Sequence, residues 1–155
     1  MVILLSIFIL IYSALIITFI IGFSAKNSRK SPKITQKTGF SVVIPFRNEA
    51  ENLTVLLQSL SEINYPKELF EVILINDSSS DDFEPIIADF KQNKPIPIRV
   101  LDNVRKSGSP KKDALNVGID NSKFDWIVTT DADCVVPQEW LKLFNKRILA
   151  QKSRF

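Results

Sequence analysis

Four short apolar runs, each followed by a polar loop and a stretch of helical periodicity, constrain this chain more than anything else in it. Phe40-Ser41-Val42-Val43-Ile44, Phe70-Glu71-Val72-Ile73-Leu74-Ile75, Ile96 to Leu101 and Phe124 to Thr130 are rich in β-branched and aromatic residues and read as strands. Between them Ala50, Leu53, Leu56, Leu57 and Leu60 recur at helical spacing, as do Phe83, Ile86, Ile87 and Phe90. Lys111 to Asn121 reads as a third helix, weakened by Gly118. Pro137 can open a fourth, which carries Trp140, Leu141, Phe144 and Ile148. Asn48 with Glu51 three residues on forms a capping-box pattern, and Asp82 can cap the second helix. The alternation predicts an α/β fold, a mostly parallel sheet with helices on both faces.

The N-terminus has a different composition. Met1 to Phe23 holds no charged side chain, and about 20 apolar residues suffice for a helix to cross a bilayer. Lys26, Arg29, Lys30, Lys33 and Lys37 follow, with no acid among residues 24–39. We therefore expect a transmembrane helix over 1–23, a basic linker over 24–39 and one domain over 40–155. The positive-inside rule puts the linker and domain in the cytoplasm and the N-terminus outside. A cleaved signal peptide fits poorly, because the charges lie after the apolar run instead of before it.

Charge and residue types exclude several chemistries. The net charge of +3, from 20 basic and 17 acidic residues, gives no case for nucleic-acid binding. Histidine is absent, which removes Ser–His and Cys–His catalysis and His-bound zinc from this chain. Cys134 is the sole cysteine, so neither an intrachain disulfide nor a cysteine-cluster zinc site can form. A metal here must be held by oxygen, which points to Mg²⁺ or Mn²⁺.

Four loops fall at the carboxyl ends of the predicted strands, the edge where open α/β sheets bind ligands. In Pro45 to Glu49, Arg47 could reach a phosphate and Glu49 could fix the loop. In Asn76 to Asp82, Asp77 could accept hydrogen bonds from a nucleoside. In Asp102 to Pro110 and the helix start after it, Lys106, Lys111 and Lys112 could attract an anion. In Asp131 to Val136, Asp131 and Asp133 point the same way in extended chain and could hold the metal against phosphates.

Taken in order, Val42-Val43-Ile44-Pro45-Phe46-Arg47-Asn48-Glu49, Ile75-Asn76-Asp77-Ser78-Ser79-Ser80-Asp81, Pro110-Lys111-Lys112-Asp113-Ala114-Leu115-Asn116-Val117-Gly118-Ile119 and Thr130-Asp131-Ala132-Asp133 resemble the family 2 glycosyltransferases of GT-A fold. The likeness runs from about Phe40 to Leu143. It implies that Asp77 contacts the base of a nucleotide-sugar and that Pro45 and Glu49 line the nucleoside pocket. It further implies that Lys112 and Asn116 face the donor, that Asp131 lies beside ribose and sugar, and that Asp133 is the main metal ligand. Asn76 departs from the family, which often has an acid there, and Ser78 stands where a glycine is usual. The implied activity is metal-assisted, inverting transfer from a UDP-sugar to a polysaccharide or lipid acceptor at a bacterial inner membrane. The general base is expected beyond Phe155, so the fragment alone should not turn over. Two other readings stay open on the sequence. Asp131-Ala132-Asp133-Cys134-Val135 also fits the nucleophile loop of a haloacid-dehalogenase-type phosphatase, with Asp131 phosphorylated. A non-enzymatic, membrane-tethered nucleotide-sugar-binding subunit fits as well.

Overall fold

The computed structural model describes residues 2–27, 37–94 and 96–152, with side chains of the first helix described over residues 6–20. The chain divides into two units, one carrying that helix and one carrying everything from residue 37 onward. Helix α1 spans Val2–Asn27, past the expected boundary at Phe23. Phe8, Leu10, Ile11 and Phe19 are exposed on it. Among the described residues no helix is long and apolar enough to cross a membrane. The structure therefore does not support the transmembrane helix expected over 1–23. Most of the expected basic linker, residues 28–36, lies outside the described residues.

The second unit is a four-stranded sheet with helices on both faces. Its strands are β1 (Phe40–Phe46), β2 (Phe70–Asn76), β3 (Ile98–Asp102) and β4 (Trp126–Thr129), and its helices are α2 (Ala50–Ser61), α3 (Phe83–Asn93), α4 (Pro110–Asp120) and α5 (Trp140–Lys152). All three pairings are parallel, in the order β3-β2-β1-β4. Alternate residues of a strand face opposite sides. Val42, Ile44, Val72 and Leu74 therefore pack with Leu53, Leu56, Leu57 and Leu60 of α2, Phe83 and Ile87 of α3, and Leu141 of α5. Val43, Ile73 and Ile75 pack on the other face with Ala114 of α4. Burial on both faces is why β1 and β2 read as almost unbroken apolar runs. Gly118 has a packing role that its helix propensity hides: a Cβ there would collide with Val43, so the glycine lets α4 lie close on β1.

Several boundaries differ from the sequence reading, and three of the shifts have a local reason. β3 begins at Ile98, not Ile96, because Pro97 has no N–H and contributes only its carbonyl, which accepts from Val72 N–H. β4 begins at Trp126, not Phe124, because the preceding amides bond to side chains. Lys123 N–H donates to Glu71 Oε1 (2.6 Å) and Phe124 N–H to Ser41 Oγ (3.1 Å). α5 begins at Trp140; Pro137 sits in a turn whose carbonyl accepts from Trp140 N–H.

Those side chains belong to a buried polar cluster at the amino ends of the strands. Ser41 and Glu71 are register partners, and the Ser41 hydroxyl donates to Glu71 Oε1 at 2.7 Å. Arg99 Nη2 donates to Glu71 Oε2 at 3.0 Å. Burial pushes the Glu71 carboxyl up, but the Lys123 amide, the Ser41 hydroxyl and Arg99 outweigh it, and the group lies below the usual glutamate range.

Candidate functional site

The four loops open at the opposite edge, the carboxyl ends of the strands. A cleft of about 510 Å³ there is lined by Pro45, Arg47 and Glu49 from the first loop, Asp77 from the second, Pro110, Lys111 and Ala114 from α4, and Asp131 and Asp133 from the fourth. The topology explains the convergence. β1 lies between β2 and β4, so the loops after these three strands must be neighbours.

The first two loops are tied together by side chains. Asn48, at φ 55°, donates its N–H to Ser79 Oγ (3.0 Å) and accepts from Ser80 N–H through Oδ1 (2.7 Å). Ser79 N–H in turn donates to Asn76 Oδ1 at 2.8 Å. The expected capping box is replaced by another device. Glu49 occupies the N-cap position without a capping bond, and Asp81 Oδ2, from the second loop, accepts from Ala50 N–H at 2.7 Å. Glu49 Oε2 accepts from Asn52 Nδ2, which holds Glu49 at the rim of the cleft. Asp82 likewise occupies the N-cap position of α3 without a side-chain cap. Ser78, at φ 58°, adopts the left-handed backbone that a glycine takes most easily.

Asp77 is 8% exposed, yet it faces the cleft. Its carboxylate accepts Arg105 Nε on Oδ1 and Arg105 Nη2 on Oδ2, both at 2.8 Å, and Asn103 Nδ2 on Oδ1 at 2.7 Å. The Arg105 guanidinium holds the carboxyl below the usual aspartate range; burial opposes it, and Asn103 and Arg47 add to it. Sequence reasoning missed Arg105 and Asn103. Their one signal was membership of the loop after β3, and nothing local revealed that β3 adjoins β2.

At the fourth loop, Asp131 Oδ1 pairs with Lys111 Nζ at 2.7 Å across an exposed gap. The Asp131 carboxylate keeps the Lys111 ammonium above its usual range. Asp133 Oδ1 accepts only a long contact of 3.6 Å from the exposed Cys134 thiol. Cys134 is thus not the buried packing residue a lone cysteine usually is. Of the expected site residues, Pro45, Arg47, Glu49, Asp77, Asp131 and Asp133 meet in the cleft. Lys112 and Asn116 do not line it. They lie four apart on the exposed side of α4, whereas Lys111 and Ala114, three apart, face inward.

Among the described residues no group of three or more His, Cys, Asp or Glu side chains could hold a metal ion. The donor set nevertheless fits a hard cation of the Mg²⁺ type. Such ions use one or two carboxylates and complete their shell with substrate phosphates and water.

Comparison with known proteins agrees with this geometry. Residues 41–153, well over half of the chain, match the family described as Glycosyl transferase family 2. Poly-beta-1,6-N-acetyl-D-glucosamine synthase of Staphylococcus epidermidis is 35% identical over 104 residues, 67% of this chain and 24% of that protein. The crystal structure of S. aureus TarS 1-349 in complex with UDP-GlcNAc superposes with a TM-score of 0.60 at 26% identity, over 74% of this chain and 32% of that one. A mannosyltransferase from Pyrobaculum calidifontis, solved with GDP-Man and Mn²⁺, shares the fold at 22% identity and a TM-score of 0.63, over 82% of this chain and 38% of that one. The chain spans about a quarter of the length of the curated synthase it matches. With matching motifs, sheet topology and family extent in hand, this chain belongs to glycosyl transferase family 2.

Proposed function

We propose that the chain supplies the donor end of a sugar transferase, binding a nucleoside diphosphate-sugar in the cleft above β1, β2 and β4. The observation that carries this reading is the meeting of Asp77, Arg47, Lys111, Asp131 and Asp133 in the lining of one cleft. Asp77 Oδ2 keeps a free lone pair beside its Arg105 bond and accepts an N–H of the base. Arg47 and Lys111 attract the diphosphate. Asp131 and Asp133 would hold a Mg²⁺ or Mn²⁺ ion, which when bound would supply Lewis-acid chemistry for the leaving diphosphate. The acceptor is a polysaccharide or lipid hydroxyl. Its oxygen forms the new bond to the anomeric carbon, a base takes its proton, and the nucleoside diphosphate leaves with the electron pair of the broken bond. We assign that base to the part of the relatives' length that this chain does not span, and expect no turnover by these residues alone. The family match speaks against the phosphatase reading of Asp131, and sugar transfer measured on a longer chain separates the transferase from the binding-subunit reading.

Calorimetric titration of the full chain with UDP and GDP, in Mn²⁺ and in chelator, tests the donor site. The expected result is binding of one nucleoside diphosphate, with UDP the first choice, at least about tenfold tighter with Mn²⁺. A folded chain that binds neither nucleotide overturns the reading.

The localisation follows from the sequence. The uncharged stretch Met1 to Phe23 and the basic residues after it support anchorage in a bacterial inner membrane with the cleft in the cytoplasm. The exposed apolar side chains of α1 support it too, since each costs free energy in water. After expression in a bacterium, the chain is expected in the carbonate-resistant membrane pellet. The same chain starting at Thr38 is expected in the supernatant. Release of the full chain by carbonate would refute the anchor.

A further inference from the structure

The third loop is fastened by a buried acid that the transfer chemistry leaves unused. Asp113, in the first turn of α4, is 5% exposed. Its Oδ2 accepts from the backbone N–H of Lys106 (2.9 Å) and of Ser107 (2.8 Å). Its own N–H donates to Ser109 O at 3.1 Å. A buried carboxylate is costly unless it is hydrogen-bonded, and these amides, with the N-terminal end of α4, compensate it. The Ser107 amide holds the carboxyl below the usual aspartate range; burial opposes this and the Lys106 amide reinforces it.

The position of the bonds shows what they do. A carboxylate serving only its own helix would accept from amides of α4. Asp113 instead reaches back to loop amides six and seven residues earlier. Those amides come directly after Arg105, whose guanidinium grips Asp77 at both oxygens. On the other side of Arg105, Asn103 Nδ2 donates to Asp77 Oδ1 and to Pro110 O (3.0 Å). The segment carrying Arg105 is thus pinned on both sides, although the Arg105 side chain is itself 41% exposed. Without the Asp113 pin, Arg105 keeps the Asn103 tie on one side only, and its own half-exposed bonds to Asp77 are ones water can compete for.

We infer that Asp113 is a positioning residue for the donor pocket: it fastens the loop after β3 so that Arg105 holds Asp77 in the orientation that meets the nucleotide base. The inference rests on the donor-site reading above. Nothing in it requires Asp113 to touch the nucleotide.

Two readouts on the full chain in detergent micelles test it, namely UDP affinity by calorimetry in Mn²⁺ and amide hydrogen exchange over residues 103–109. Variants are Asp113→Ala, Asp113→Asn, Arg105→Gln, the double variant, and Asp120→Asn as an exposed control on the same helix. Asp113→Ala is expected to weaken UDP about tenfold, with faster exchange at Lys106 and Ser107. Asp113→Asn, which keeps an acceptor oxygen, is expected to recover most of both and serves if the alanine variant does not fold. Asp120→Asn should match wild type. Because Asp113 acts through Arg105, the double variant should bind no more weakly than Arg105→Gln alone. Unchanged UDP affinity in Asp113→Ala with accelerated loop exchange would overturn the inference, and so would fully additive losses in the double variant. If the wild-type chain binds no UDP, the donor-site reading falls and takes this inference with it.

Discussion

Replacing Asp133 with alanine will remove the metal-dependent part of nucleotide binding and leave the fold intact. Asp133 is exposed and makes a single long contact with Cys134, so its loss should change stability by less than about 0.5 kcal/mol. Its carboxylate is also the more available of the pair, because Asp131 is already engaged by Lys111 at 2.7 Å. A metal ion held at this pair would therefore depend on Asp133 first. We expect UDP affinity in Mn²⁺ to fall about a hundredfold, or about 2.7 kcal/mol, to the value of the wild-type chain in chelator. Thermal unfolding curves of the two proteins should overlay. A variant that still binds more tightly in Mn²⁺ than in chelator would show that the ion is held without Asp133, by Asp131 and phosphate oxygens. Lys111→Met sharpens the test. It frees Asp131 and removes a cation near the phosphates, so metal affinity without nucleotide should rise while UDP affinity falls.

The sequence was legible where the chain obeys local periodicity. The near-continuous apolar runs at Phe40 and Phe70 and the spaced leucines of Ala50 to Leu60 announced two strands and a helix, because burial on both faces leaves a run in a strand and burial on one face leaves a period in a helix. Strand order was not legible. β1 lies between β2 and β4 because of pairings between residues some thirty and more than eighty apart, such as Val42 with Val72 and with Val128. The site followed the same division. Asp77, Asp131 and Asp133 could be placed at one edge because each lies within a few residues of a strand end. Arg105 could not, since its value depends on β3 lying beside β2. The Asn48 capping box misled because the pattern is local whereas the cap itself comes from Asp81, 31 residues from Ala50. The resemblance pointed to Lys112, whereas Lys111 lines the cleft. Ala114 and Gly118, small residues four apart, already marked the inward face of α4, and Lys111 is three residues from Ala114.

Glu71→Ala should cost the second unit much of its stability, although Glu71 lies at the edge of the sheet away from the cleft. Glu71 is 7% exposed, and Ser41, its hydroxyl donor, is fully buried. Removing the carboxylate orphans that hydroxyl and the Lys123 amide, and each buried unsatisfied group costs about 1–3 kcal/mol. The Arg99 side chain is 45% exposed, so its ion pair adds little. The expected loss is about 2–4 kcal/mol, a large part of the stability of a domain this size. Ser41→Ala on the Glu71→Ala background should not restore it, because Ser41 Oγ also accepts from Phe124 N–H and its loss leaves that amide unpaired in turn. Glu71→Gln keeps an acceptor and should lose about 1 kcal/mol at neutral pH. The pH dependence has a definite sign. The folded carboxyl lies below its unfolded value, so its contribution is complete above the ordinary glutamate pKa and disappears as pH falls through the depressed folded value. Asp77 and Asp113 are depressed too, and all three lose stability in acid. The difference between wild type and Glu71→Gln isolates the Glu71 share. Urea unfolding should show that difference at pH 7 and a smaller one below about pH 4. If Glu71→Ala unfolds within about 0.5 kcal/mol of wild type, the cluster does not hold the α4–β4 connection to the sheet.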